Sequence, residues 1–287
     1  MSDRVTLFEV GPRDGLQNEK TFVPTENKVA LVDYLSKAGF TKIEAASFVS
    51  PKWVPQMADG ADVMAAIKRV PGTSYAALTP NVKGYERARA AKADEVAIFG
   101  SASEGFSQKN INCSIDESLA RFRPLVEEAE KDGMPVRGYI SCVVKCPYDG
   151  DTPPEDVAAV AEKLLAMGVY EISLGDTIGA ATPETTAAML DAVLTVIPAN
   201  QIAGHYHDTG GRALSNIEVS LEKGIRTFDS AIGGLGGCPY APGAKGNVDT
   251  IAVYERLSEL GVETGLDRGA LNAAAAYMSK IMVELSQ

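Results

Sequence analysis

Residues 171–207, EISLGDTIGAATPETTAAMLDAVLTVIPANQIAGHYH, contain the pattern that decides the fold. Two short apolar runs, Glu171–Asp176 and Ile202–His207, flank a stretch with the spacing of an amphipathic helix. Thr182-Pro183-Glu184 is typical of a helix start, because threonine caps, proline suits the first turn and an acidic side chain favours the positive end of the helix dipole. The stretch therefore predicts a strand, a helix and a second strand, the unit from which parallel sheets are built.

The same kind of apolar run occurs eight times along the chain. The runs are Val5–Val10, Lys42–Ser47, Ser74–Thr79, Glu95–Gly100, Val136–Cys142, Glu171–Asp176, Ile202–His207 and Thr227–Ile232. Helical patterns lie between them. We expect Thr25 to cap one of these helices and Gly39 to end it, and another to open at Pro153-Pro154 and to end at Gly168. Eight strands that alternate with helices predict an α/β protein, a closed (β/α)8 TIM barrel in one domain over residues 1–287. A doubly wound open sheet is the alternative.

Residues 233–287 follow the last run. They begin with the glycine-rich stretch Gly233–Asn247, GGLGGCPYAPGAKGN, which does not open a helix as a dinucleotide-binding fingerprint does. We expect this stretch to form a flap over the mouth of the barrel, followed by extra C-terminal helices.

Composition and charge exclude several classes of protein. A chain with 45% hydrophobic and 23% charged residues is not disordered, and its net charge of −11 disfavours non-specific binding to nucleic acid or anionic membranes. No apolar run approaches the length of about 18 residues that a membrane-spanning helix needs. The first residues show no export or transit pattern, so we expect a cytoplasmic protein with reduced cysteines.

Functional residues of a TIM barrel lie at the carboxyl ends of the strands and in the loops that follow them. His205 and His207 are the only histidines, and their spacing on a strand puts both imidazoles on one face. Closure of the barrel brings the loops after strands one, seven and eight to one rim, so Asp14 and Asn247 can approach this pair. Two imidazoles, a carboxylate and an amide oxygen suit an octahedral ion such as Mg²⁺ or Mn²⁺. Two structural histidines are the alternative.

Four more residues at this end are candidates for catalysis. Arg13 beside a metal can stabilise a developing oxyanion, although a surface ion pair with Asp14 is the simpler interpretation. Glu44 and Asp176 can orient Arg13 or handle a hydroxyl proton, or they can be core acids bound to backbone amides. Cys238, in the glycine-rich loop, can exchange a proton near a cation or can be a buried structural thiol.

Long motifs occur in order from about Val5 to Leu257. They are Gly11–Glu19 (GPRDGLQNE), Ser47–Met57 (SFVSPKWVPQM), Lys109–Ser114 (KNINCS), Gly175–Gly179 (GDTIG), His205–Thr209 (HYHDT), and Gly236–Ala241 with Gly246-Asn247. In these motifs the chain resembles the 3-hydroxy-3-methylglutaryl-CoA (HMG-CoA) lyase family. This family belongs to a superfamily of metal-dependent lyases and Claisen-type synthases built on TIM barrels.

The resemblance implies a role for each candidate. The metal ligands would be Asp14, His205, His207 and Asn247. The residues at the reacting centre would be Arg13 on the thioester carbonyl, Cys238 as an acid or base on a mobile loop, and Glu44 and Asp176 close to the reacting atoms. The implied reaction is retro-Claisen cleavage of HMG-CoA to acetyl-CoA and acetoacetate, a step of leucine degradation and ketone-body formation, carried out by a homodimer.

Three other functions are compatible with these motifs. A sibling lyase would act on another branched acyl-CoA, such as citramalyl-CoA or isohexenylglutaryl-CoA. A condensing synthase of the isopropylmalate or homocitrate type would share the barrel, although such relatives usually extend well past it. The third is a barrel that binds a metal or an acyl-CoA without turnover.

Overall fold

Strands and helices alternate in the computed structural model, which describes residues 3–236 and 246–285. The strands are β1 (Thr6–Glu9), β2 (Lys42–Ser47), β3 (Ser74–Leu78), β4 (Glu95–Ser101), β5 (Val136–Ser141), β6 (Lys145–Cys146), β7 (Gly150–Asp151), β8 (Glu171–Asp176), β9 (Ile202–Tyr206) and β10 (Thr227–Ser230). The helices are α1 (Thr25–Lys37), α2 (Gly60–Ala66), α3 (Val82–Ala90), α4 (Glu104–Ile111), α5 (Ile115–Asp132), α6 (Pro154–Met167), α7 (Pro183–Val193), α8 (Ala213–Glu222), α9 (Thr250–Glu259) and α10 (Arg268–Leu285).

Eight of the described strands close into a barrel in the order β1-β10-β9-β8-β5-β4-β3-β2. Every pair in this sheet is parallel, and β1 pairs with both β10 and β2, which closes the ring. Each of the eight apolar runs corresponds to one barrel strand, so the predicted TIM barrel is confirmed and the open sheet is excluded. The other two strands, β6 and β7, form a short antiparallel hairpin in the connection that follows β5.

The helix ends follow local sequence signals, with one correction. Thr182 accepts a backbone N–H of the first turn and caps α7, and Gly168 ends α6 with a φ of 110°, a left-handed value that favours glycine. Thr25 does not cap α1 as predicted. It is the first helical residue after the extended Pro24, and its hydroxyl donates instead to a carboxylate oxygen of Asp59, 2.8 Å away.

The helices pack their apolar sides against the outside of the barrel. In α7 the buried apolar residues are Met189, Leu190 and Val193, the positions that the helical spacing predicts. The two helices α9 and α10 follow the last strand, which confirms the predicted C-terminal helices. Helix α10 packs on α1, where the rings of Tyr277 and Tyr34 stack with centroids 4.9 Å apart.

The predicted flap and the predicted absence of a membrane-spanning helix can be compared only with the described residues. Much of the proposed flap, residues 237–245 of Gly233–Asn247, lies outside them. Among the helices within them, none combines the length and the apolar character that crossing a bilayer requires.

Candidate metal and active site

A cavity of about 300 Å³ lies at the end of the barrel where the strands terminate. Four of the predicted site residues line it, namely Arg13, Asp14, His205 and His207. The other lining residues are Gln17, Asn18, Val49, Val54, Leu78, Phe99, Phe106, Asn110, Tyr139, Ile140, Ser141, Gly175 and Thr177. The cavity therefore lies where a TIM barrel carries its functional residues.

A tight turn directly after β1 carries Arg13 and Asp14. Residues Gly11–Gly15 form a single π-helical turn, and the backbone N–H groups of Asp14 and Gly15 both donate to the carbonyl of Val10. Single π-turns occur often at functional sites. This turn places two adjacent side chains, one cationic and one anionic, at the inner end of the cavity.

Glu9, the last residue of β1, holds this turn in place through hydrogen bonds. Its buried carboxylate accepts the N–H of Gly11 at 2.8 Å, the N–H of Ile232 at 2.9 Å and the hydroxyl of Thr250 at 2.7 Å. Burial is the main cause that raises the pKa of Glu9 to about 7, against an ordinary value of 4.5. Glu9 therefore ties the Arg13 turn to the end of β10 and the start of α9.

Arg13 is buried and held by two carboxylates. Its Nε donates to Glu44 Oε2 and its Nη1 to Asp14 Oδ1, both at 2.6 Å, while the guanidinium lies 5.4 Å from the ring centroid of Tyr139. Burial alone would lower the pKa of Arg13, but Glu44 and Asp14 outweigh it and raise the pKa above its ordinary value. A permanently charged guanidinium is thus fixed in one orientation at the cavity wall. The simple surface ion pair is excluded, because Arg13 is only 5% exposed.

The two histidines converge as their spacing predicts. His205 Nε2 and His207 Nε2 lie 3.3 Å apart, and His205 Nε2 is 3.8 Å from Asp14 Oδ2. Tyr206, between them, points the other way and its hydroxyl contacts Ser220 on α8. One ligand atom from each of Asp14, His205 and His207 lies within 4.8 Å of the others. Two imidazole nitrogens and a carboxylate oxygen turned toward one point fit a divalent cation.

Asn247 lies next to Asp14 and His207, as barrel closure predicts. Its backbone bridges to that of His207, and its Nδ2 donates to Asp14 Oδ2 at 2.8 Å and to the Leu235 carbonyl at 3.2 Å. The side-chain amide therefore lies in contact with the Asp14 carboxylate, next to the histidine pair.

The charges of Asp14 and His207 favour cation binding. Burial alone would raise the pKa of Asp14, but Arg13 and the two histidines lower it to about 2. Burial and the neighbouring His205 lower the pKa of His207 to about 4. At neutral pH Asp14 is therefore an anion and His207 a neutral imidazole, the forms in which these side chains coordinate metals.

His205 contacts the carboxylate of Asp229, which was not among the predicted site residues. Asp229 on β10 is in register with His205 on β9, and its Oδ2 is 3.0 Å from His205 Nδ1. Arg137 holds the same carboxylate through two N–H groups, at 3.0 and 2.7 Å, and Ser173 donates to it at 2.8 Å. A signal was present, since Asp229 and Arg137 are charged residues inside apolar runs.

Arg137 also connects the metal site with the Arg13 side of the cavity. It donates to the hydroxyl of Tyr139 at 3.1 Å, and Tyr139 in turn donates to Glu44 Oε2 at 3.1 Å. Because Glu44 holds Arg13, one buried network contacts both Arg13 and His205. Tyr139 lies in a predicted strand but was not among the predicted site residues.

The remaining predicted site residues lie outside the cavity lining or outside the described ranges. The carboxylate of Asp176 accepts the N–H groups of Ala180 at 3.0 Å and Ala181 at 2.9 Å, so it anchors the loop after β8. Glu44 lies beneath Arg13, and one of its oxygens, Oε1, has no hydrogen-bond partner among the described residues. Cys238 lies outside the described residues.

A family model described as HMGL-like matches residues 4–278 of this chain. The chain belongs to the HMGL-like family. A Pseudomonas aeruginosa relative named 3-hydroxy-3-isohexenylglutaryl-CoA/hydroxy-methylglutaryl-CoA lyase is 56% identical, with 97% of this chain and 93% of that protein covered. The solved HMG-CoA lyase structure from Brucella melitensis is 60% identical, with a TM-score of 0.97 and coverage of 98% of this chain and 99% of that one.

Another similar structure contains bound molecules. The Acinetobacter baumannii HMG-CoA lyase, in complex with coenzyme A and 3-methylmalate, is 38% identical with a TM-score of 0.93, and the match covers 98% of this chain and 92% of that one. The resemblance inferred from the sequence motifs is therefore confirmed at the level of the family. In this HMGL-like chain, a candidate cation site lies directly beside a buried guanidinium, an arrangement suited to stabilising negative charge on substrate oxygens.

Proposed function

We propose that this chain is a lyase that uses a divalent cation to cleave HMG-CoA to acetyl-CoA and acetoacetate. The observation that carries the proposal is the convergence of Asp14, His205 and His207 beside Arg13 in one cavity of an HMGL-like barrel. The names of the relatives at 54–60% identity support HMG-CoA as the substrate.

The donor set favours Mg²⁺ or Mn²⁺ as the cation. Asp14, His205 and His207 would bind it together with Asn247, and no thiolate is part of the set. When bound, the ion would act as a Lewis acid and template for the oxygens of the substrate. The protein's part is to hold His205 on β9, His207 directly after it, and the carboxylate on the turn after β1.

Arg13 has the position and charge to stabilise the enolate. When the C2–C3 bond of the substrate breaks, negative charge develops on the thioester oxygen of the acetyl-CoA fragment. A guanidinium held by Glu44 and Asp14 at 2.6 Å does not need to reorganise to meet that charge. Glu44 therefore acts as an orienting residue, which agrees with one of the roles expected from the sequence.

Cleavage also requires two proton transfers. The C3 hydroxyl of the substrate must lose its proton to a base in the neighbourhood of Asp176 and His205 as the C2–C3 bond breaks, and the enolate carbon must gain a proton. We propose that Cys238, or a water that it positions, protonates the enolate carbon after cleavage. Asp176, whose two oxygens accept backbone N–H groups, would act by holding the loop that carries Thr177 at the cavity wall. Burial raises the pKa of Asp176, although these amide contacts oppose that rise.

The outer part of the cavity suits the pantetheine arm of an acyl-CoA. Val49 and Val54, from the 47–57 motif, line it together with Phe106 and Asn110 on α4. We propose that the arm leaves the barrel between these two segments, whose motifs are not used by the chemistry at the inner end. The coenzyme A bound by the Acinetobacter baumannii relative supports an acyl-CoA ligand.

Three further properties stay predictions. One domain over residues 1–287 is supported by the closed sheet from Thr6 to Ser230 and by α10, which packs on α1. A cytoplasmic location is supported by the three described cysteines, which are free and buried. The homodimer implied by the resemblance can be tested by sedimentation of the purified protein.

Cleavage of a panel of CoA thioesters tests the proposal. HMG-CoA should release acetyl-CoA, EDTA should stop the release, and added Mg²⁺ or Mn²⁺ should restore it. A faster reaction with citramalyl-CoA or isohexenylglutaryl-CoA would identify a sibling lyase. Metal binding without cleavage of any thioester would contradict the proposal.

A further inference from the structure

We propose that Asp229 is a positioning residue that fixes the tautomer and the orientation of His205 and thereby sets the cation affinity of the site. The inference rests on the metal site of the proposed function and assigns a role to a residue outside the ligand set. It follows from the contacts among three buried side chains of the barrel strands, namely His205, Asp229 and Arg137.

Asp229 determines which ring nitrogen of His205 carries the proton. Its Nδ1 lies 3.0 Å from Asp229 Oδ2, and an ionised carboxylate can only accept a hydrogen bond. Nδ1 must therefore carry the hydrogen, which in a neutral imidazole leaves the lone pair on Nε2. That Nε2 is the atom turned toward His207 and Asp14. Asp229 thus selects the tautomer that can coordinate a cation.

Asp229 is itself held in a fixed position. Arg137 donates to both of its oxygens, at 3.0 and 2.7 Å, and Ser173 donates to Oδ2 at 2.8 Å. All three side chains are buried, Asp229 and Arg137 at 1% exposure. A carboxylate held by two charge-assisted hydrogen bonds in fixed geometry cannot turn away from the imidazole.

The contacts of Arg137 distinguish Asp229 from a simple counter-ion. Arg137 has a second ion pair, from its Nε to Glu171 Oε1 at 2.7 Å, and its guanidinium lies 4.3 Å from the ring centroid of Phe8. Among the contacts of the described residues, Glu171 makes none with either histidine, whereas Asp229 contacts both Arg137 and His205. Loss of each carboxylate should therefore have different effects on the metal site.

Nuclear magnetic resonance can read the tautomer without any change to Asp229. The chain contains two histidines, so ¹⁵N-histidine labelling gives two imidazole signals, which a His207→Gln variant assigns. In the metal-free protein at alkaline pH, where the ring is neutral, we expect His205 to carry its hydrogen on Nδ1. A hydrogen on Nε2 would overturn the proposal.

Metal affinity gives the second readout, measured by the electron paramagnetic resonance signal of free Mn²⁺. Asp229→Asn should weaken Mn²⁺ binding about 10- to 100-fold, the usual effect of losing such a partner. The double variant Asp229→Asn/Arg137→Gln removes both buried charges, and its affinity should stay low. Recovery of wild-type affinity in the double variant would show that Asp229 only neutralises Arg137, and would overturn the proposal.

Glu171→Gln is the matched control, because it breaks an ion pair of the same arginine on the side away from His205. Its Mn²⁺ affinity and His205 tautomer should match those of the wild type. A loss equal to that of Asp229→Asn would mean that any change in the Arg137 pairs disturbs the site, and would also overturn the proposal.

Failure of the proposed function is a separate outcome. If wild-type protein binds no Mn²⁺, the metal site is wrong and the affinity claim is wrong with it, while the tautomer is still decided by the spectrum. If the wild type binds Mn²⁺ and Asp229→Asn binds it equally well, the metal site stands and the role of Asp229 is refuted.

Discussion

Replacing Arg13 by glutamine removes the guanidinium that we assign to the enolate oxygen. Loss of one preorganised oxyanion donor costs about 3 kcal/mol in the barrier, so kcat should fall by two to three orders of magnitude. The substituted amide is neutral and shorter, and it cannot reproduce the contacts that Arg13 makes with Glu44 and Asp14 at 2.6 Å. The rate of acetyl-CoA release from HMG-CoA at saturating metal measures the effect.

The same substitution also affects stability, which must be separated from catalysis. Glu44 is fully buried, and its Oε1 has no partner among the described residues, so Arg13 is its main source of compensation. Breaking a buried ion pair from one side costs about 3–5 kcal/mol. Burial already raises the pKa of Glu44, so protonation without Arg13 would recover part of this cost.

A double variant distinguishes the two effects. Arg13→Gln/Glu44→Gln removes both charges, so its free energy of unfolding in urea should recover most of the loss, while kcat stays low. Glu44→Gln alone is the control, because it keeps the guanidinium and weakens only its orientation. If the double variant regains a kcat within tenfold of the wild type, Arg13 is not the group that stabilises the enolate.

Three further predictions concern the metal, Glu9 and Asp176. Chelation should abolish turnover but leave the circular dichroism spectrum unchanged, because strands and turns of the barrel hold Asp14, His205 and His207 without the ion. Burial raises the pKa of Glu9 to about 7 from 4.5, so its stabilising contribution is fully present below pH 4.5 and is lost as pH rises through 7. Urea unfolding should show this loss as about 3 kcal/mol in the wild type, and a Glu9→Gln variant that keeps the same loss would contradict the assignment. Asp176→Ala should destabilise the chain by about 1–3 kcal/mol, since it leaves two N–H groups without their acceptor. Asp176→Asn should retain more stability and more activity than Asp176→Ala in parallel unfolding and kinetic assays, because its amide oxygen can still accept one bond.

The barrel and the core of the site could be predicted because both follow from periodicity and closure. Eight short apolar runs separated by helical patterns leave few arrangements other than a parallel barrel. Closure then brings the loops after β1, β9 and β10 together, so the approach of Asp14 and Asn247 to the histidines is a topological consequence.

The network behind the site could not be predicted by the same reasoning. Asp229 meets His205 and Arg137 because of the register between β9 and β10 and because of depth within the barrel, and a linear pattern specifies neither. The contacts of Asp176 depend on the path of the loop after β8, which brings the N–H groups of Ala180 and Ala181 to its carboxylate, and a linear pattern does not specify that path. A charged residue inside an apolar run marks Glu9, Arg137 and Asp229 as unusual but does not name their partners.

The most direct test of the central claim is the product balance of the reaction with Mg²⁺. HMG-CoA labelled with ¹³C in its acyl carbons, incubated with the purified protein, should yield acetyl-CoA and acetoacetate in equal amounts, and EDTA should prevent both. Unchanged HMG-CoA in the presence of Mg²⁺ or Mn²⁺, or acetyl-CoA accompanied by a product other than acetoacetate, would contradict the account.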